Sequence, residues 1–215
     1  GDFLKRNYCL SRGINHVIAT VKEVKQRKNN DVSEIIDTDG NSYTADLFID
    51  CSGFKSILLT ETLNEPFVSF GDVLVNDKAV TFRMPYVDKE IEMEHTTNAT
   101  ALSSGWVWNI PLWDRIGTGY VYSSKFQTDE EAFKEFKEFL INDRDVPHTR
   151  KEIESLEPHF VDIKPGIHER AWVNNVCAVG LSNGFIEPLE STGLMLTHNT
   201  IFALVQTLQS RADGG

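Results

Sequence analysis

Only three cysteines, Cys9, Cys51 and Cys177, occur in 215 residues. They are far apart and lack C-x-x-C spacing, so neither a disulfide framework nor a thiolate zinc site is encoded, and a reducing, cytoplasmic compartment is expected. Basic residues are the minority: 21 Lys and Arg against 32 Asp and Glu leave a formal net charge of −11. Such a surface repels phosphate backbones and anionic lipid, which argues against nucleic-acid and membrane partners. No stretch reaches the ~18 consecutive apolar residues of a membrane span. The six histidines include no i,i+4 pair, so each reads as a surface or hydrogen-bonded residue and no metal site is expected. Gly-x-Ser-x-Gly and Walker A sequences are both missing, which removes support for the hydrolases built on them.

What remains is ordinary for a globular protein. Hydrophobic residues make up 40% and charged residues 25%, so the chain can bury a sizeable core and is neither disordered nor a coiled coil. Residue 1 is Gly, Gly1-Asp2-Phe3 has no signal-peptide character, and Ser210–Gly215 runs straight on from a helical pattern. The expectation is a chain truncated at both ends.

Phe3, Leu4, Tyr8 and Leu10, stopped by Gly13, predict a helix over 2–12. Val17, Ile18, Val21 and Val24 predict a strand, Arg27–Asp31 a turn, and Ser33–Asp37 with Thr38-Asp39-Gly40-Asn41 a hairpin. Ala45–Gly53 is an apolar run stopped by Asp50, Cys51, Ser52 and Gly53, the pattern of a buried parallel strand whose end meets a ligand. Weak alternation over Val73–Asn76, Ala79–Met84 and Ile91–Thr97 predicts further strands. Trp106–Pro111 alternates, and Gly119–Ser123 answers it across the turn Asp114–Gly117, giving a long hairpin. Thr128 and Glu131 form a capping box that opens a helix to about Leu140, with Phe133, Phe136 and Leu140 on one face. Ala171–Gly180 reads as a second apolar strand and Leu181–Glu190 as a loop. Ser191 to about Leu208 reads as a helix with Leu194, Ile201, Leu204, Val205 and Leu208 facing inward.

The segment 176–208 brings a buried strand to its end at Gly180 and starts a helix at Ser191-Thr192-Gly193, where free N–H groups and the helix dipole favour an anion. Glu190 stands one residue before that positive end. Spacing leaves two readings open: Glu190 and Ser191 cap the helix, or Glu190 is an acidic group held where a small anion or an electron-rich ring docks. Glu187 and Glu190 as a glycosidase pair are disfavoured, because Pro188 breaks the spacing and carboxylates so close in sequence seldom flank one bond. Trp106, Trp108 and Ile110 project from one face of a strand. They are either core packing or a rigid aromatic wall beside a cofactor or substrate, and Gly105 and Pro111 fit both.

Gly105-Trp106-Val107-Trp108-Asn109-Ile110-Pro111, Phe185-Ile186-Glu187-Pro188-Leu189-Glu190-Ser191-Thr192-Gly193 and Ala45–Gly53 together resemble the flavin-dependent halogenases, the family commonly called tryptophan halogenases. The first matches the family's W-x-W-x-I-P. Gly117–Ser124 and Arg170-Ala171-Trp172-Val173 follow in the expected order, so the likeness covers nearly the whole chain. The resemblance implies a mixed α/β fold, with a Rossmann-like FAD-binding domain of the aromatic-hydroxylase type interleaved with an antiparallel substrate-side sheet. Residues 1–60 and 166–215 would fall in the first and 61–165 in the second.

The resemblance also implies an activity. In the family, reduced FAD and oxygen turn a halide into hypohalous acid, and a lysine passes the halogen to an aromatic ring, here indole- or tryptophan-like or phenolic. Glu190 matches the carboxylate that orients that agent or takes the ring proton. Thr192 and Gly193 match the backbone that binds the halide. Leu181, Leu194 and Val21 match flavin contacts, and Trp106, Trp108, Ile110 and Pro111 match the wall between flavin and substrate. FAD and a halide ion are then the expected cofactor and co-substrate. A separate flavin reductase is the expected partner, because no NAD(P)H site is visible. The family's N-terminal G-x-G-x-x-G and its lysine are absent from these 215 residues. By itself the 215-residue piece is therefore expected to be inactive; a flavin-dependent aromatic monooxygenase, or an inactive flavin-fold fragment, are the competing readings.

Overall fold

The computed structural model describes residues 1–142, 148–186, 189 and 192–212. Helical turns open the chain, with α1 (Asp2–Leu4) running into a π-helical stretch Lys5–Cys9 and a 3-10 turn Leu10–Arg12. They stop at Gly13, whose φ of 76° is the left-handed conformation that a glycine adopts without strain. Strands β1 (Val21–Gln26), β2 (Val32–Asp37) and β3 (Ser42–Tyr43) then form an antiparallel meander. After β4 (Phe48–Asp50) come a 3-10 turn Gly53–Lys55, a π-helical segment Ile57–Thr62, β5 (Phe67–Ser69), β6 (Lys78–Met84), α2 (Lys89–Glu92) and β7 (Asn98–Leu102). The hairpin β8 (Gly105–Pro111) and β9 (Ile116–Tyr122) precedes α3 (Asp129–Asn142) and α4 (Arg150–Glu154). The last third holds β10 (His159–Asp162), β11 (Gly166–His168), β12 (Trp172–Val173), β13 (Val176–Ala178), a 3-10 turn Gly180–Ser182, β14 (Gly184–Phe185) and α5 (Thr192–Ala212).

The main core is built by the two-residue period of a five-stranded antiparallel sheet, order β10-β6-β9-β8-β7. Val80, Phe82, Met84, Val107, Ile116, Tyr120 and Tyr122 are buried on one face, under Ala132, Phe136, Phe139 and Leu140 of α3 and Ile153 of α4. Phe136 stacks on Phe82 at 5.4 Å. The predicted capping box seats α3: the Glu131 N–H donates to Thr128 Oγ1 at 3.2 Å, and the Thr128 N–H to Glu131 Oε2 at 2.9 Å. Polar pins add to this seat. Tyr122 Oη and Lys78 Nζ both donate to Asp129, and Tyr120 Oη donates to Glu135.

Three smaller sheets, each of three strands, hold the other strands. In the order β12-β13-β4, β4 and β13 run parallel with Asp50 opposite Ala178. In the order β14-β11-β5, the last strand before α5 is tied back to β11. The mixed α/β architecture expected from the sequence is therefore present. Among the described residues, no helix is long and apolar enough to cross a membrane.

Several local expectations are corrected. Val73–Asn76 forms no strand, and Ile91–Thr97 is split between α2 and a segment that becomes a strand only at Asn98. There Asp88 accepts the N–H groups of Glu90 and Ile91 and caps a short helix that outcompetes the weak alternation. Val17 and Ile18 precede β1 and are exposed. The Ala45–Gly53 run yields only three strand residues. Because β4 lies at a sheet edge, Ile49 stays 42% exposed. Ala171–Gly180 is two short strands folded back on each other at Asn174, which takes a left-handed φ of 52°. The inward face predicted for the last helix is not buried: Leu194, Ile201, Val205 and Leu208 are exposed, and α5 contributes no buried residue among those described. Periodicity reports which face is apolar, whereas burial needs a neighbour, and the main neighbour of α5 is the single turn Gly180–Ser182.

Candidate functional site

Among the described residues, no helix covers the other face of the five-stranded sheet. Alternation sends Ala79 and Thr81 of β6, Ala99 of β7, Trp106, Trp108 and Ile110 of β8 and Val121 of β9 to that side, where they line a cavity of about 560 Å³. Phe54, Thr97, Val161, Ile163, Leu181, Phe185 and Leu189 complete it. The two indoles lie 6.2 Å apart, tilted by 59°. The neighbouring strands make room for them. Trp108 is paired with Ala99 on one side and Gly119 on the other, and its indole lies down over Gly119 so closely that a methyl group there would meet the ring at 2.2 Å. The tryptophans thus belong to a cavity wall, while the core on the opposite face is made by Val107 and its neighbours.

A second cavity, of about 480 Å³, lies under the start of α5. Gly180, Asn183, Gly184, Gly193, Leu194, Thr197 and Thr200 are among its lining residues. Ile110, Leu181 and Phe185 border both cavities. The N-terminal N–H groups of α5 are left without helical acceptors and carry the positive end of a 21-residue helix. At Gly193, an added side-chain carbon would meet nothing within 4 Å, so the backbone there faces open space. Asn183 Oδ1 is buried and without a hydrogen-bond partner among the described residues.

The partition between the cavities is fixed by polar contacts to the end of β4. Asp50 accepts the N–H groups of Leu58 and Leu59 at 2.8 and 3.0 Å, which starts the π-helical segment. Ser56 Oγ donates to the Ser182 carbonyl at 2.8 Å, and Ser182 Oγ donates to the Asp50 carbonyl. Phe54 then meets Phe185 edge-on at 5.6 Å. Next to this cluster, partial desolvation and then the neighbouring Asp50 carboxylate push the Cys51 thiol up from its ordinary value, although the residue itself is exposed.

Of the residues singled out in the sequence, Trp106, Trp108, Ile110, Leu181, Leu194 and Gly193 line these two cavities. Thr192 is the first residue of α5, and Pro111 closes β8 next to Ile110. Val21 lines neither cavity; it opens β1 and is exposed. Glu190, with Glu187 and Ser191, lies outside the described residues. Sequence reasoning missed Phe54, Asn183, Thr197 and Thr200 as lining residues. Phe54 could have been found as the residue directly after the predicted strand end, whereas nothing in the local pattern marks the threonines.

Comparison with known proteins gives a consistent result. The profile described as Tryptophan halogenase matches residues 1–214. Tryptophan 7-halogenase RebH of Lentzea aerocolonigenes is 38% identical over 205 residues, which is 95% of this chain and 37% of that protein. The crystal structure of tryptophan 6-halogenase SttH from Streptomyces toxytricini superposes with a TM-score of 0.86 at 40% identity, covering 95% of this chain and 38% of that one. The VirX1 apo structure superposes with a TM-score of 0.90 at 43% identity, over 100% of this chain and 39% of the other. The chain thus spans less than two-fifths of the length of these relatives. Matched by the family profile over residues 1–214, and by these relatives in both sequence and fold, the chain belongs to the tryptophan halogenase family.

Proposed function

We propose that this chain forms the wall and halide side of a FAD-dependent halogenase that modifies an indole-like or phenolic ring, with reduced flavin delivered by a separate reductase. The observation that carries the reading is the pair of cavities sharing Ile110, Leu181 and Phe185, one lined by Trp106 and Trp108 and the other by the start of α5. In this reading residues 1–60 and 166–215 belong to the FAD-binding part and 61–165 to the substrate side. The three cysteines are free thiols, which suits the cytoplasm.

The cavity under α5 suits a flavin ring. Its walls are mostly apolar, Asn183 Oδ1 is an orphaned acceptor for a ring N–H, and the open backbone at Gly193 allows close approach. Leu181 and Leu194 would hold the ring, and Val21 is assigned on resemblance. When bound, reduced FAD together with oxygen supplies the oxidising power that turns a halide into an electrophilic halogen. This chain's own residues take four further roles. N–H groups at Thr192 and Gly193 hold the halide at the helix terminus. Trp106 and Trp108 orient the aromatic substrate, and with Ile110 and Pro111 they keep it off the flavin side. Glu190 takes the proton from the ring carbon that gains the halogen.

The test uses the complete gene product with a flavin reductase, NADH, oxygen and indole or phenol as probe, in chloride and in bromide. The product mass should follow the halide, and Glu190→Gln should slow turnover by about 10²–10⁴-fold with FAD binding retained. Hydroxylated product independent of halide would overturn the proposal in favour of an aromatic monooxygenase.

A further inference from the structure

We propose that His168 is a positioning residue: its imidazole locks the 180–186 segment, which separates the two cavities, onto the helical segment 57–62. The inference rests on the halogenase reading for its consequence, but its structural content does not. His168 ends β11 and is only 6% exposed. Its Nδ1 lies 2.7 Å from the Asn183 carbonyl oxygen, and its own backbone N–H donates to that same oxygen at 2.9 Å. Both lone pairs of the Asn183 carbonyl are therefore engaged by one residue, which fixes the peptide plane entering β14. A carbonyl can only accept, so Nδ1 carries the proton. In the neutral ring Nε2 is then the acceptor, and Thr60 Oγ1, at 2.7 Å, donates to it.

The ring cannot swing away from this bridge. Phe67 packs against it with ring centroids 5.1 Å apart. The far anchor is rigid as well, because the Thr60 segment is held at its start by Asp50 and Ser56. Upstream, Ser182 is tied to Ser56 and Asp50. Beyond Asn183, among the described residues, the segment is held by backbone pairing to β11, Ile167 to Gly184 and Gly166 to Phe185, and by the edge contact of Phe185 with Phe54. Loss of the imidazole would leave the Asn183 carbonyl held by the backbone N–H of residue 168 alone and cut its tie to Thr60, so that Leu181 and Phe185 gain freedom to shift. Those are side chains that border both cavities. The partition would loosen, and oxidant formed on one side would reach the ring on the other less reliably.

Substitutions separate the two bonds. An Asn side chain at 168 places an N–H where Nδ1 sits and keeps the bond to the loop, whereas Gln reaches the Nε2 position and serves Thr60 only. The complete gene product carrying His168→Asn, His168→Gln, His168→Ala or Thr60→Val is compared with wild type by hydrogen exchange and by halogenated product formed per reduced FAD consumed. Amides of 180–186 should exchange about tenfold faster in the Gln and Ala variants, with α3 unchanged, and about threefold faster in the Asn variant, which keeps the loop bond but loses the tie to Thr60. Thr60→Val, which leaves the imidazole in place without its anchor, should match the Asn variant, since both keep the loop bond and lose the tie to residue 60. Product per flavin should drop several-fold in the Gln variant and recover in part in the Asn variant. Wild-type exchange in the Gln variant, or equal acceleration throughout the molecule in every variant, would overturn the proposal. Absence of halogenated product from wild type would refute the halogenase reading instead, and leave the exchange data to decide the role of His168.

Discussion

Gly119→Ala is the sharpest test of how the tryptophan wall is built. The methyl group would lie 2.2 Å from Cη2, 2.3 Å from Cζ2 and 2.9 Å from Cζ3 of Trp108. Ordinary carbon contacts are about 3.5–4.0 Å, so the indole must retreat by roughly 1.3–1.8 Å. Overpacking of this kind costs about 1–3 kcal/mol, while removing a strand glycine returns about 0.5–1 kcal/mol. The expected outcome is a net loss of roughly 1–2 kcal/mol and a fall in Tm of about 2–8 °C. The assay is a double-mutant cycle with Trp108→Phe, read by denaturant unfolding, with Trp emission and probe-substrate KM as local readouts. Phenylalanine lacks the outer indole ring that meets the methyl group, so Gly119→Ala in that background should cost nothing. Emission should change only while Trp108 is present. A Gly119→Ala protein as stable as wild type, with the two substitutions additive within about 0.5 kcal/mol, would refute the packing argument.

Two further outcomes follow from the electrostatics. Glu65 has a buried carboxylate, and Arg170 donates to both its oxygens, Nε at 2.9 Å and Nη2 at 2.6 Å, which lowers its pKa. Arg170→Met should destabilise the protein more than the double change Glu65→Leu with Arg170→Met, because only the single change leaves a charge buried without its partner; equal Tm values would contradict this, and Arg170→Lys should not rescue, since it lacks the two-pronged geometry. Hydrogen bonds from Arg170 to Glu65, from Lys78 to Asp129 and from Arg150 to Glu138 all hold these carboxyls below their ordinary values. Each contribution is present above the unfolded value of about 4–4.5 and is lost as pH falls through the lower folded value. Denaturant stability should therefore be level above about pH 5 and decline below it. At the other extreme, burial pushes Tyr120 up to about 12, so stability should also fall as pH rises from about 10, where the unfolded tyrosine ionises first. A profile rising toward acid would refute the assignment.

Local chemistry determined much of this protein directly from its sequence. The alternation of Trp106 to Pro111 against Gly119 to Ser123 makes a hairpin wherever it is placed, because side chains of a strand leave on opposite faces. The Thr128 and Glu131 pair starts a helix because its two side chains satisfy N–H groups of the same turn. The tryptophan pair and the small-residue start of the last helix likewise marked the region where the cavities lie. Short elements were illegible: Lys89–Glu92 as a helix and the reversal at Asn174 rest on single caps and turns, too few residues for a period to emerge.

Tertiary structure alone decided which apolar face is a core and which is a cavity. Val107 and Trp106 are equally apolar neighbours on β8, yet α3 covers one face of their sheet and leaves the other open. It likewise left the apolar stripe of α5 exposed and brought Thr60 to His168, and Phe54 to Phe185, each from more than 100 residues away. Hydrophobicity and spacing describe a side chain's own preference, while burial, hydrogen-bond partners and a shared wall are properties of what the rest of the chain brings against it.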